Sequence, residues 1–507
     1  MTAKKNVLLI VVDQLRADCL HGALAEHVDL PNLRSLAAES VRFDRHFSVT
    51  NPCGPSRASI LTGQYAMNHR SVRNGTPLRH DIPTIASEMR RAGYLPMLFG
   101  YTDTSNDPRV FCERDPALTS YEFHMSGFQE MVEMRMEESY PWRSYLKGKG
   151  YTYDTYEDLF QPVAQNGEEP DITDPAPYAA EDSDTAFLTD RFLELMPAYQ
   201  ERGNGWFSML TYLRPHPPLV APAPYNKMYD PARMPDPVRL PSPAQEDAIH
   251  PFFAPARANA TALDMVSGIA TLDESDDVLR KLRAVYFGLA TELDHHIGRV
   301  IDFLKDSGQY DNTLLIVTAD HGEMLGDRHS WGKNTVYDPA YHTPLIIRAP
   351  AGQQGLEVDA QTESIDLAPT ILEWIGQPVP DSMNGASLLP FLSGHAPQSW
   401  RRFSFSELDF ANPLSPSRWQ KELGTGVDDS CLSILRDDRF TLVEFAADLA
   451  PLLFDHQGNG ELENVADQPE YAQTLARLTR EMLRHRMRHM DKLLSNWMIT
   501  KDGPRHP

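Results

Sequence analysis

The sequence predicts an α/β fold with a large, mostly parallel central sheet flanked by helices, followed by a smaller C-terminal subdomain. Three observations carry that expectation. Short apolar runs of strand length recur along the chain, helical patterns lie between them, and the character of the sequence changes near residue 380.

The runs Val7–Val12, Leu95–Phe99, Trp206–Tyr212, Thr313–Thr318 and Pro344–Ile347 are apolar almost throughout, as parallel strands buried on both faces are. Pro31–Ser40 and Pro83–Ala92 read as helices that open on proline, the second stopped by Gly93. Asp273–Asp306 is a long helical pattern, one helix or two, ending at Gly308. Two insertions interrupt the alternation, 104–186 and 213–272, and the second carries twelve prolines between Pro215 and Pro255. Loops of that length are uncommon unless they serve a function such as covering a site. The expected division is a main α/β domain over 1–380 and a C-terminal subdomain over 381–507. In the latter, Ser433–Leu435 and Phe440–Phe445 read as short strands. A basic amphipathic helix runs from about Tyr471 to Met498, with Leu475, Leu478, Met482, Met490 and Leu494 on its apolar face and arginines on its solvated one.

A net charge of -24 over 507 residues argues against nucleic-acid or anionic-membrane partners, which require basic surface. Cys19, Cys53, Cys112 and Cys431 are far apart and form no CxxC pair, which suits a reducing compartment. The opening "MTAKKNVLLIVVDQ" looks like a leader, but its apolar run stops at Asp13 and no small-residue cleavage site follows, so it reads as a first strand. No apolar stretch reaches membrane-spanning length. The expected location is the cytoplasm and the expected partner a small molecule.

The strands end informatively. Val7–Val12 runs into Asp13-Gln14, Thr313–Thr318 into Asp320-His321, Leu95–Phe99 into Tyr101 and Asp103, and Trp206–Tyr212 into Arg214 and His216. Ligands of open α/β sheets bind beyond the carboxyl ends of the strands, so parallel strands would gather these groups at one edge. Asp13, Gln14, Asp320 and His321 then form a sound divalent-metal set, the imidazole shifting preference toward Mn²⁺ or another transition metal. A lone Asp after a strand can instead cap the next helix; two strands ending in ligand pairs favour the metal.

Cys53 stands between Pro52 and Gly54-Pro55, at the N-terminus of a helical run over Pro55–Leu61 that Gly63 closes. Helix N-termini favour an anion or a thiolate, and Arg57 lies one turn on, able to fork onto the same anion. A nucleophile beside an anion cradle and a cysteine that merely fits a tight turn are both compatible with this spacing.

Cys53-Gly-Pro-Ser-Arg57, with Thr62-Gly63 downstream, resembles the sulfatase signature C-x-P-S-R-x4-T-G. The resemblance continues through "LIVTADHGE", "SIDLAPTILEWIG" and "LLFDHQGNGELENVAD". More narrowly, Asp13-Gln14, "GYTDT", "LRPHPP" and "GDRHSWGK" look like the phosphonate monoester hydrolase and arylsulfatase branch of the alkaline phosphatase superfamily. The resemblance implies an alkaline-phosphatase-like sandwich, a formylglycine made from Cys53 by a maturation enzyme, one divalent metal and a homo-oligomer. Gln14, where many sulfatases have a second acid, and His321, where they often have Asn, favour Mn²⁺ over the more usual Ca²⁺. Carried over position by position, Asp13, Gln14, Asp320, His321 and modified Cys53 are metal ligands, with Cys53 also the nucleophile. Arg57 holds the hydrate, His216 and Lys333 stand near the leaving group with the histidine as general acid, and Tyr101 contacts substrate. The branch has threonine where this chain has Asp103; Thr104 is adjacent, so a one-residue slip stays open.

The implied chemistry explains the cysteine. An aldehyde hydrate carries two hydroxyls: one attacks sulfur or phosphorus, and loss of the second proton then collapses the hemiacetal and expels the oxyanion. Counting Asp13, Asp320, the alkoxide form of the hydrate and Asp103 against the metal, Arg57 and Lys333 leaves the site near neutral to slightly positive, suited to monoanions such as sulfate monoesters, phosphonate monoesters and phosphodiesters. The leaning is to sulfate esters. The alternative on the same machinery is a phosphonate monoester or phosphodiester hydrolase. The alternative of another class is a non-catalytic metal-binding protein with unmodified Cys53. Asp294-His295-His296 mimics a metal cluster, but neighbours on a helix point about 100° apart and cannot readily share one ion. His69, His80 and His329 receive no role. Gly458–Asn464, "GNGELEN", reads as a turn with no strand leading into it.

Overall fold

The computed structural model describes residues 5–164, 167, 169–200 and 205–506. The first residues of the leader-like N-terminus (1–4) and three positions of the first insertion (165, 166 and 168) therefore lie outside the described residues. The central sheet has eight strands, in the order Leu356–Val358, Val41–Phe43, Leu345–Arg348, Thr313–Ala319, Asn6–Val12, Phe207–Tyr212, Pro96–Gly100 and Gln129–Glu133. Five successive strands, from Thr313–Ala319 to Gln129–Glu133, pair in parallel. Both faces are covered, as a continuous apolar run requires. Leu8, Ile10 and Val12 pack into one core with the helices Pro31–Ala38, Asp184–Gln200 and Asp276–Asp306. Val7, Leu9 and Val11 pack into the other with Cys53–Thr62, Ile85–Arg91 and Leu367–Trp374.

Several expectations need correction. The strand at Leu345–Arg348 is antiparallel to Thr313–Ala319. The connecting segment carries no crossover helix and returns the chain from the same edge, so a parallel pairing is not available to it. The second proline-led helix starts at Ile85, capped by Thr84, leaving Pro83 outside it. The long helical pattern is one helix of 31 residues, Asp276–Asp306. The C-terminal helix stops at Arg488, so Met490 and Leu494 lie beyond it, 65% and 72% exposed. A strand, Leu452–Asp455, does lead into "GNGELEN"; a turn rather than a helix follows it, so no phosphate cradle forms. The first insertion holds a strand, Gln129–Glu133, and a helix, Tyr140–Gly148. Asp294 is a tertiary helix cap: its carboxylate accepts the N–H groups of Asn32 and Leu33 at 3.0 and 2.7 Å.

The C-terminal domain supplies a second sheet, Leu452–Asp455, Phe440–Phe445, Cys431–Arg436 and Ser404–Asp409. Its last strand pairs in parallel with Thr50–Asn51, the residues leading into Cys53. The cysteines are all free. Among the described residues no helix is long and apolar enough to cross a membrane.

Candidate active site

Because the four central strands are parallel, their polar extensions meet at one edge. Cys53 and Arg57 arrive from the helix Cys53–Thr62, all ten residues of which are buried. Gly54 is required by close approach: a Cβ there would stand 3.0 Å from Asn74 Oδ1 and 3.1 Å from the Asp103 carbonyl oxygen.

Cys53 Sγ lies 3.1 Å from His321 Nε2 and 3.8 Å from Asp13 Oδ1. One donor atom each from Asp13, Cys53, Asp320 and His321 falls within 4.8 Å of all the others. Arg57, wholly buried, bridges the carboxylates: Nε to Asp320 Oδ2 at 2.9 Å, Nη2 to Asp13 Oδ2 at 3.0 Å, and Nε 3.3 Å from Asp103 Oδ2. Tyr101 donates its hydroxyl to Asp13 Oδ2 at 2.6 Å, accepts from Arg57 at 3.1 Å, and lies under the guanidinium, 4.2 Å from ring centroid to Cζ. Asp103 sits in a left-handed backbone conformation at φ 48°, its carboxyl pushed up by burial and pulled back by Arg57. Thr104 is placed differently. Its hydroxyl bonds Thr102 at 3.0 Å and its N–H bonds Phe123 at 3.1 Å, so Asp103 is the residue that faces Arg57.

Gln14 also adopts a left-handed conformation, φ 68°, a strain of roughly 1–3 kcal/mol that surrounding bonds must hold. Its N–H donates to Asp320 Oδ1 at 3.1 Å and its carbonyl accepts the Tyr286 hydroxyl at 2.7 Å. Its side-chain amide accepts from Lys333 Nζ at 2.6 Å and donates to Glu323. Lys333 Nζ is also 3.1 Å from His216 Nε2, and His216 Nδ1 is 2.5 Å from the Pro217 carbonyl. That contact assigns the proton to Nδ1 and leaves Nε2 as acceptor. Burial, then Lys333, push His216 down to about 3. Burial opposes the Lys333 ammonium, but Cys53, Asp13, Asp320 and Glu323 together hold its pKa above the ordinary value. The lysine therefore carries the proton of the pair.

The donor set fits a divalent ion. Atoms bound at roughly 2.0–2.6 Å to one cation lie within about 5 Å of each other, as these do. His321 Nδ1 bonds the Gly322 carbonyl at 3.0 Å, which turns the Nε2 lone pair toward the cluster. Burial, then Lys333, push this imidazole down to about 3, keeping it neutral as a ligand must be. Burial pushes the Cys53 thiol well above its usual range, with Asp13 adding to the effect. Asp13 stays ionised: burial opposes it, but the cationic Arg57 and Lys333 help hold it well below the usual carboxylate range.

The sequence reading overlooked several supporting groups. Glu323, two residues past His321, braces Gln14 and accepts the N–H groups of Leu325 and Gly332; its place in "ADHGE" was the available signal. Ser56 donates to the Asp320 carbonyl at 2.5 Å, and Asn74 accepts the Gly54 N–H at 2.9 Å. Tyr286 and Asn74 carry no such signal, because only the tertiary fold brings them near.

Arg214 supports the His216 loop from below. Its Nη1 donates to the His216 and Pro218 carbonyls at 3.2 and 2.7 Å, and its Nε to Asp184 at 2.9 Å. Beside this pair, burial pushes Glu292 up to about 8; Ser183, which donates to it at 2.6 Å, works against that, Asp184 adds to it and Arg214 opposes it. The folded chain thus holds a proton between pH 4.5 and about 8 that the unfolded chain releases. Stability from this group is complete below pH 4.5 and declines as pH rises to about 8, by up to about 1.4 kcal/mol per pH unit. Glu292→Gln removes that slope; denaturant midpoints of both proteins at pH 5, 6.5 and 8 measure it, and parallel pH profiles would contradict it.

The model of the Sulfatase family matches residues 5–377, and that of the N-sulphoglucosamine sulphohydrolase C-terminal region matches residues 326–488. The chain is 38% identical to the multifunctional alkaline phosphatase superfamily protein PehA of Trinickia caryophylli, over 99% of this chain and 98% of that protein. Among solved structures it is similar to the phosphonate monoester hydrolase SpPMH from Silicibacter pomeroyi, at 63% identity and TM-score 0.98 over 99% of both chains. It is also similar to the phosphonate monoester hydrolase of Agrobacterium radiobacter, at 36% identity and TM-score 0.94 over 99% of this chain and 100% of that one. The α/β architecture is thus the alkaline-phosphatase-like one that the sequence predicted. With its signature helix at the sheet edge, the chain belongs to the sulfatase family.

Proposed function

We propose that this protein hydrolyses monoanionic sulfate monoesters, arylsulfatase fashion, with a formylglycine hydrate made from Cys53 as nucleophile. The observation that carries the reading is Cys53 Sγ set against His321 and Asp13, with Arg57 spanning the neighbouring carboxylates. A second reading, phosphonate monoester and phosphodiester hydrolysis at the same centre, is favoured by the two phosphonate monoester hydrolases to which the chain is similar. Parallel kinetics on an aryl sulfate and an aryl phosphonate monoester rank the two. Mass spectrometry of the Cys53 peptide tests the class: an aldehyde is lighter than the thiol. A fully unmodified peptide in protein that turns over either ester would contradict the nucleophile, and unmodified protein that binds metal but turns over neither would support the non-catalytic alternative.

The proposed roles follow the geometry. Asp13, Gln14, Asp320, His321 and modified Cys53 hold one divalent ion, which when bound would supply Lewis-acid activation. The imidazole in this set favours Mn²⁺ over Ca²⁺; metal analysis of the purified protein decides. Arg57 neutralises the oxyanion as charge develops, Tyr101 fixes Arg57 and Asp13, and Asp103 faces Arg57 as a substrate-contacting residue. Thr104 shapes the loop behind them. Lys333 and His216 deliver the leaving-group proton as a pair. The proton rests on Lys333, and the His216 lone pair aims the ammonium rather than acting as a separate acid. Lys333→Ala is therefore expected to slow esters of poor leaving groups by roughly 10²–10⁴-fold and activated aryl esters far less. A uniform loss across leaving groups, read from kcat/KM, would remove Lys333 from that role. The division into domains at 1–380 and 381–507, a cytoplasmic location, a formylglycine-generating maturation enzyme and a homo-oligomer complete the proposal. The free cysteines support the location. The exposed Met487, Met490, Leu494 and Ile499 support self-association.

A further inference from the structure

Beside the catalytic cluster lies a cavity of about 400 Å³, within the size range of small-molecule sites. Its inner wall is built from the immediate neighbours of the reacting groups. Pro52 precedes Cys53, and Asn334 follows Lys333. Asn74 accepts the Gly54 N–H, and Asn51, next to Pro52, donates to the Lys333 carbonyl at 3.0 Å. Pro52 and Asn334, which adjoin Cys53 and Lys333 in the chain, thus line this space together with Asn74.

The outer wall comes from the C-terminal domain. Leu414 is 94% exposed yet is held in place. Its N–H and that of Ser415 donate to Asn412 Oδ1 at 2.9 and 3.2 Å, and Ser417 Oγ closes the loop on the Phe410 carbonyl at 2.7 Å. The charged groups of the cavity cancel: Arg73 pairs with both oxygens of Asp409 at 2.9 and 3.1 Å. The amides of Asn74, Asn259 and Asn334 supply uncharged donors and acceptors.

We propose that this cavity is the leaving-group subsite, and that it selects an uncharged alcohol or phenol with an apolar body packing on Leu414 and polar groups meeting the asparagine amides. The proposal rests on the hydrolase reading above and goes beyond it by naming the alcohol. An anionic or cationic leaving group finds no opposite charge here, because Arg73 and Asp409 already satisfy each other.

The test compares the methyl, phenyl and para-carboxyphenyl esters of one acid, with the wild-type chain and with Leu414→Ser and Asn259→Ala. Both side chains lie at or near the surface, and thermal melts confirm folding. In the wild type the phenyl ester outruns the para-carboxyphenyl ester once leaving-group acidity is allowed for. In each variant the phenyl-to-methyl ratio of kcat/KM falls roughly tenfold, chiefly through KM. Ratios that stay at the wild-type value in an active enzyme overturn the subsite alone. A wild-type chain that turns over none of the esters overturns the subsite and the reaction class together.

Discussion

Cys53→Ala is expected to lower kcat by at least about 10⁴-fold, while substrate analogues still bind. In the proposed mechanism Cys53 is the precursor of the nucleophile, whereas Arg57, Lys333 and Tyr101 would bind and polarise the ester without it. Cys53→Ser gives a sharper result. The serine hydroxyl can displace the alcohol once, but its ester has no second hydroxyl on the same carbon whose ionisation would expel the oxyanion. Water must then attack sulfur or phosphorus directly. The expected trace is a burst of released phenol equal to the enzyme present, followed by near-arrest, with the intact mass raised by one bound oxyanion. Steady turnover by Cys53→Ser at a wild-type rate would refute the hydrate.

Arg57→Ala is expected to combine a catalytic and a folding defect. Its guanidinium is wholly buried and lies against Asp13, Asp320 and Asp103. Burial works against Arg57, but Tyr101 and the three carboxylates hold its pKa well above the ordinary value. Removing the cation strands buried carboxylates, a change of about 3–5 kcal/mol in comparable buried pairs, and removes a preformed oxyanion partner worth roughly 10²–10³ in kcat. Arg57→Lys restores the charge but not the fork that spans Asp13 and Asp320, so it recovers stability more fully than activity. Denaturant midpoints and kcat/KM, measured on the same preparations, separate the two effects. An Arg57→Lys enzyme with full activity would show that the fork is dispensable.

Much of this site was legible because its residues follow apolar runs that end abruptly. Asp13-Gln14 and Asp320-His321 stand out where a buried strand meets polar residues, and parallel pairing does the rest. Cys53 and Arg57 were legible only through spacing within one helix and the signature it matches. Elements that were missed share a physical reason. Val41–Phe43 and Leu356–Val358 are three residues long and too short for any periodicity to show. Tyr286 reaches Gln14 from the middle of a 31-residue helix whose pattern speaks only of packing. Asp294 looked like part of a ligand cluster, yet it caps a helix some 260 residues away, which only the tertiary fold reveals. The proposed assignment of the proton to Lys333 rather than His216 rests on burial and on one carbonyl, neither of which sequence displays.

The burial of the helix Cys53–Thr62 sets a schedule. Cys53 is 4% exposed, its helix is packed on every side, and the segment before it is stitched into the C-terminal sheet through Thr50–Asn51. A second protein cannot grip this stretch in the finished fold. Under the maturation proposed above, oxidation of the thiol would belong to the interval after synthesis of residue 53 and before closure by the strand Ser404–Asp409, more than 350 residues later. Slowing that closure would raise the share of chains that mature, and speeding it would yield well-folded but inert protein.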